Sequence, residues 1–162
     1  MNFLSLQFFA MAYKRFYKRY NRGNRDKYSV EHNAFSLTTN STGDAGQTVV
    51  PASTTQGMRK VKHLTISVAS NAASQQYPLW WALVYVPQGT NANTLQVDSG
   101  TLYEPNQFVM GCGVFDFDGG PLRIKCPLSR NLNSGDTIAF VVHSTAANVI
   151  YNCCLSYAVT LQ

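Results

Sequence analysis

The chain has 162 residues and a net charge of +5, with 13 Lys and Arg against 8 Asp and Glu. That length favours one domain with a core large enough to need no staples, so a disulfide scaffold is excluded, and no apolar run approaches the ~20 residues of a membrane-spanning helix. Few charged residues and many Val, Ile, Tyr, Phe and Thr suit an all-β domain with many turns.

Residues 1–10, MNFLSLQFFA, are apolar, and Ala10-Met11-Ala12 imitates a signal-peptidase site. The side-chain charge follows this apolar run instead of preceding it, which argues against a secretory leader. From Lys14 to Lys27 seven basic residues (Lys14, Arg15, Lys18, Arg19, Arg22, Arg25 and Lys27) meet one acid, Asp26, for a local charge of +6. The remainder carries −1. Leu6, Phe9, Tyr13, Phe16, Tyr17 and Tyr20 fall on one helical stripe, so a helical arm here is basic and amphipathic. Asn21, Gly23 and Asn24 break it. Such an arm seeks a polyanion, either nucleic acid or an anionic membrane surface. Tyr13, Phe16, Tyr17 and Tyr20 interleave with the cations, and aromatic rings stack on unpaired bases while Lys and Arg meet phosphates. The arm is assigned to residues 1–26 and the folded domain to residues 27–162.

Residues 27–38 read as a first strand, with a bulge where apolar parity changes between Ala34 and Phe35. Residues 40–46 read as a loop, and Gln47–Val50 as a short strand stopped by Pro51. Within 61–69, Leu64, Ile66 and Val68 alternate with polar or small neighbours. Residues 79–86, LWWALVYV, are continuously apolar, as in a central strand covered on both faces. A long polar connection then runs to Pro105. Residues 107–117 form a strand in which Gly111 and Gly113 mark a bend or a close backbone contact. Asp118-Gly119-Gly120-Pro121 is a turn. Leu122, Ile124, Cys126 and Leu128 then share one face, with Arg123, Lys125 and Pro127 on the other. Ile138, Phe140 and Val142 alternate after a turn at 133–136, and the odd positions from Val149 to Leu161 line one face of the last strand. The sum is about eight strands and no helix outside the arm, which fits an eight-stranded antiparallel jelly roll, a two-sheet sandwich. An immunoglobulin-like sandwich is the rival, with more even strand spacing.

Reactive groups are sparse. His32, His63 and His143 are far apart in sequence, and no metal-binding, nucleophile-elbow or phosphate-loop pattern occurs. Asp116 and Asp118 are too few for a calcium cage. No enzyme activity, metal or cofactor is expected. Cys112, Cys126, Cys153 and Cys154 sit within apolar strand patterns and read as buried free thiols, the adjacent Cys153 and Cys154 pointing to opposite faces.

Three segments carry a family resemblance: MAYKRFYKRYNRGNR from Met11, LWWALVYVPQGT at 79–90, and LYEPNQFVMGCGVFD followed by GPLRIKCPLSRNLNSGDTI within 102–138. In that order they resemble the capsid proteins of circovirus-like, Rep-encoding viruses with circular single-stranded DNA genomes. The resemblance implies a jelly roll that self-assembles into a small icosahedral shell of about sixty copies. It implies an inward arm on the genome, nuclear import through that arm, residence in the virion and in the host nucleus during assembly, and a host receptor. The arm is less arginine-dense than is usual in that family, and MNFLSLQFFA lies outside the pattern. On this reading Tyr13, Lys14, Arg15, Phe16, Tyr17, Lys18, Arg19, Tyr20, Arg22, Arg25 and Lys27 contact nucleic acid, and Arg123 and Lys125 join them from a strand face turned into the particle. An arm of +6 in about sixty copies supplies roughly 360 charges, which leaves a longer genome only partly neutralised. The competing classes are a lectin-like or cytokine-like jelly-roll binding module, a satellite RNA virus capsid protein, and a membrane-active or secreted protein led by residues 1–20.

Overall fold

The computed structural model describes residues 28–71, 77–95, 108–117 and 120–161. The arm at 1–26 and Lys27 lie outside the described residues. Alternating side chains build nine strands: β1 (Tyr28–Thr38), β2 (Asp44–Val50), β3 (Arg59–Ser70), β4 (Leu79–Val86), β5 (Val109–Phe115), β6 (Leu122–Lys125), β7 (Arg130–Leu132), β8 (Thr137–Ser144) and β9 (Ile150–Leu161). They form a five-stranded sheet in the order β1-β9-β3-β6, with β7 also on β3, and a four-stranded sheet in the order β2-β8-β4-β5. Every pairing is antiparallel. β6 pairs with Thr65–Val68 of β3 and β7 with Arg59–Val61, so the two occupy a single strand position. Counted this way, four positions lie in each sheet, and the chain passes repeatedly between them. That is the winding of a jelly roll, as expected from the sequence, and no helix occurs among the described residues.

The break between β6 and β7 has a local cause. Lys62 pairs with Ala158 and Thr65 with Ser156, so His63 and Leu64 together oppose Tyr157. This is a bulge, and His63 takes a positive φ of 56° to make it. Beside it, the Cys126 N–H donates to the Leu64 carbonyl at 2.8 Å, after which the chain leaves the sheet and returns as β7. Leu128, expected on the buried face, is therefore 53 % exposed.

Two further expectations are corrected. β1 keeps an unbroken register with β9 from Tyr28↔Thr160 to Thr38↔Ile150, so there is no bulge at Ala34 and Phe35. The parity change arises because Val30 is an exposed outer-face residue while Phe35 and Leu37 face the core. The loop expected at 40–46 is shorter, since β2 begins at Asp44. Asn40 tightens it by accepting the N–H groups of Thr42 and Asp44, each at 2.9 Å, on its side-chain oxygen. Gly43, at φ 86°, completes the turn, and a Cβ there would strike the Ser144 carbonyl oxygen.

The core lies between the sheets, with Ile66, Leu83, Phe140, Tyr151 and Leu155 all fully buried. Side chains of this size stabilise by about 1.5–3 kcal/mol each when buried. β4 is central and covered on both faces: Leu79 and Leu83 point into this core, while Ala82, Val84 and Val86 join a second apolar cluster with Ala139, Val141 and Leu95. The glycines of β5 have the predicted close contact. A Cβ on Gly113 would lie 3.1 Å from the Trp81 ring, so the indole lies against bare backbone.

All four cysteines are free, and Cys126 and Cys153 are buried. Cys112 and Cys154 are exposed, contrary to the expectation of four buried thiols, because their strand positions look away from the core.

Candidate nucleic-acid interface

The outer face of the five-stranded sheet follows from register. Across it, Tyr28 aligns with Thr160 and Lys60, and Val30 with Ala158 and Lys62. Beyond the bulge, His32 aligns with Ser156, Thr65 and Lys125, and Ala34 with Cys154, Ser67 and Arg123. Four cations thus share a face whose rows contain no Asp or Glu. Its middle strand carries only small side chains, from Cys154 to Thr160. Ala158 and Thr160 are buried there between the longer chains of β1 and β3. The Lys62 ammonium lies 5.1 Å from the centroid of the Tyr28 ring. Glu31, the acid of β1, belongs to the other face and pairs with Tyr157. Burial, and then the Glu31 charge, push the Tyr157 hydroxyl pKa up.

Of the expected site residues, Arg123 and Lys125 are both exposed on this face, and the structure brings Lys60 and Lys62 to them. Tyr13, Lys14, Arg15, Phe16, Tyr17, Lys18, Arg19, Tyr20, Arg22, Arg25 and Lys27 lie outside the described residues. Tyr28, which follows them in sequence, is the first residue of β1 and belongs to this face. Lys60 and Lys62 escaped the sequence reading for a physical reason. Counting by twos from Leu64, Ile66 and Val68 places them on the core side, and the His63 bulge reverses that parity.

The opposite sheet carries a different polar contact. His143 Nδ1 and Asp44 Oδ1 are 2.8 Å apart, with the Trp80 ring 5.7 Å from the imidazole. From sequence His143 had no visible partner, because Asp44 lies 99 residues away and only the β2–β8 pairing brings the two together. His32 and His63 lie on strands of the other sheet. Among the described residues no three His, Cys, Asp or Glu side chains group as metal ligands.

No protein-family model matches the chain, and no curated protein matches it. Solved structures do match, two plant-virus structures among them. Desmodium yellow mottle tymovirus aligns at 18 % identity over 84 % of this chain and 89 % of that chain, with a TM-score of 0.38. The empty head of turnip yellow mosaic virus aligns at 15 % identity over 83 % of this chain and 82 % of that chain, with a TM-score of 0.44. The jelly-roll assignment rests on the strand order and register of this chain itself.

Proposed function

We propose that this chain is the capsid protein of a small icosahedral virus, self-assembling from about sixty copies and enclosing a circular single-stranded DNA genome. The observation that carries the reading is the acid-free face holding Lys60, Lys62, Arg123 and Lys125, whose first row includes Tyr28, the residue that follows the cationic segment in sequence. Phosphates are held by such a surface without regard to base sequence, as packaging requires. The segment from Lys14 to Lys27 supplies +6 and aromatic rings that stack on unpaired bases, and the sheet face supplies further charge on a fixed scaffold. A lectin-like or cytokine-like module would account for the strands and leave the arm and this face without a role. The choice of DNA, the nuclear import step and the host receptor follow from the sequence resemblance.

Single-strand binding measured at several salt concentrations tests the nucleic-acid role. Deleting residues 1–26 flattens the salt slope by ~0.7 for each phosphate that the arm no longer neutralises. Replacing Arg123 and Lys125 by Ser lowers the nucleic acid packaged and leaves folding intact. Equal affinities and slopes in all three proteins overturn the role. Negative-stain images of uniform particles near ~20 nm support the shell, whereas monomers under every salt and pH condition overturn it. Particle contents destroyed by ribonuclease alone overturn the choice of DNA.

A further inference from the structure

At one end of the sandwich, where the free edge of β7 approaches β4 of the other sheet, Lys60, Tyr85, Ser129, Arg130 and Asn131 line an open cleft of about 360 Å³. We propose that this cleft is a phosphate subsite, a discrete pocket in which one phosphate is gripped, as distinct from the diffuse attraction of the sheet face. The inference deepens the nucleic-acid reading and rests on it for the source of the phosphate.

The cleft is built around a held guanidinium. Arg130 lies over the Tyr85 ring, 4.3 Å from its centroid, so one face of the guanidinium is packed and its N–H edge stays free. The ring is itself fixed. Its hydroxyl donates to Asp136 Oδ2 at 2.7 Å, and Phe108 meets it edge-on at 5.7 Å. Asp136, the carboxylate that meets the ring, is already committed. Its Oδ2 also accepts the Asn133 N–H at 2.8 Å, and its Oδ1 accepts the Gln88 N–H at 3.1 Å. Neither Arg130 nor Lys60 has a carboxylate partner among the described residues. Two unpaired cations, a hydroxyl from Ser129 and an amide from Asn131 therefore converge on open space. Tetrahedral oxyanions match this donor set, with Arg130 able to offer two parallel N–H groups to one phosphate. Lys60 and Asn131 are direct register partners on the outer face, so the cleft continues the cationic surface over the end of the sheet.

The test uses the full chain with two probes: a thymidine homopolymer of about twenty nucleotides, long enough to span an ordinary single-strand site, and thymidine 5′-monophosphate. Arg130→Gln is expected to weaken oligonucleotide binding by about tenfold and to flatten the salt slope by ~0.7. Arg130→Lys restores the slope and only part of the affinity, because charge returns without the fork. A merely structural role for Arg130 would move thermal stability and not the slope. Ser129→Ala, which leaves every sheet-face cation in place, weakens oligonucleotide binding without changing the slope, and it serves should Arg130→Gln fail to fold. Monophosphate binding that Arg130→Gln abolishes assigns the pocket to a free or terminal phosphate, and oligonucleotide binding that Arg130→Gln weakens, with no monophosphate binding, assigns it to a backbone phosphodiester; both support the subsite. Wild-type affinity and slope in Arg130→Gln, or wild-type affinity in Ser129→Ala where Arg130→Gln does not fold, alongside weakened binding in the Arg123→Ser, Lys125→Ser protein, overturn the subsite and leave the sheet-face reading standing.

Discussion

The two sheets share one core yet present opposite outer faces. On the five-stranded sheet the outward residues include Lys60, Lys62, Arg123 and Lys125, beside the small side chains of β9. On the four-stranded sheet the corresponding rows read Thr48, Ala139, Val84 and Gly46, Val141, Ala82, and their apolar members are buried with Leu95 from the connection after β4. One sheet is therefore covered by its own chain, and the other is left open with unneutralised charge. A sandwich needs only its inner faces to fold, so each outer face is free to be spent differently.

The largest test of this contrast places the same carboxylate on both faces. Val84 is fully buried on the covered face, and Val84→Asp is expected to destabilise by about 4 kcal/mol, since the charge has no partner there. Thr65 stands beside Lys125 on the open face, and Thr65→Asp is expected to change stability by less than about 1 kcal/mol while weakening nucleic-acid binding. Urea unfolding of both variants separates the faces. Similar losses in the two would mean that the five-stranded sheet is covered as well.

A smaller effect is expected at the end of the sandwich, where the faces meet. Burial there acts to raise the Asp136 pKa, but the Tyr85 hydroxyl and the Asn133 and Gln88 N–H groups outweigh it, and the carboxyl is held below its ordinary value. Tyr85 moves the other way: burial, the Asp136 hydrogen bond and the Asp136 charge raise its hydroxyl, against a lowering by Arg130. A lowered carboxyl stabilises above its unfolded pKa of about 3.9 and loses that contribution as pH falls through its folded value. A raised tyrosine stabilises below its unfolded pKa of about 10 and loses that contribution as pH climbs through its folded value. The cluster is thus at full strength between those limits. Asp136→Asn is expected to cost about 2 kcal/mol at neutral pH and to flatten the acid limb of the stability curve. An unchanged acid limb would show that this carboxylate does not govern that end.

Much of the fold was legible because period-two alternation survives wherever a strand has one wet face. β3 beyond the bulge and β9 have it, and β4, covered twice, was readable as an uninterrupted apolar run; β8 is covered twice as well and was read from Ile138, Phe140 and Val142 alone. Half of the described cationic face was legible: Arg123 and Lys125 alternate with Leu122 and Ile124 on a regular stretch. Lys60 and Lys62 were hidden by a one-residue bulge, and a bulge leaves no composition signal when histidine supplies the positive φ. The Asp44–His143 contact and the Arg130 cleft were hidden for another reason. Both join residues from different strands, and sequence spacing carries no record of which strands become neighbours.

The gentlest probe of the contrast uses thiols already in place. Cys154 is exposed on β9, in the same row of the cationic face as Ser67 and Arg123, while Cys112 is exposed on β5 at the edge of the other sheet. Cys153, one residue away from Cys154, points into the core, where burial pushes its thiol pKa up to about 12 and keeps it unreactive at neutral pH. Cys154→Ser changes only an exposed sulfur and is expected to leave stability within about 0.5 kcal/mol. Alkylation of the native chain therefore reports on Cys154 and Cys112 together, one thiol per outer face. Cys154 lies in the Arg123 row two strand positions away, about 10 Å across the sheet, so a single strand bound along Lys62, Lys125 and Arg123 flanks it. Saturating oligonucleotide is thus expected to slow labelling at Cys154 and leave Cys112 unchanged, with mass spectrometry of the peptides giving the two rates separately. Slowing at Cys112 alone would move the nucleic acid to the four-stranded sheet. Equal slowing at both would point to aggregation on the oligonucleotide. Protection confined to Cys154 would place the strand on the face that the fold leaves open, by a measurement that changes no residue.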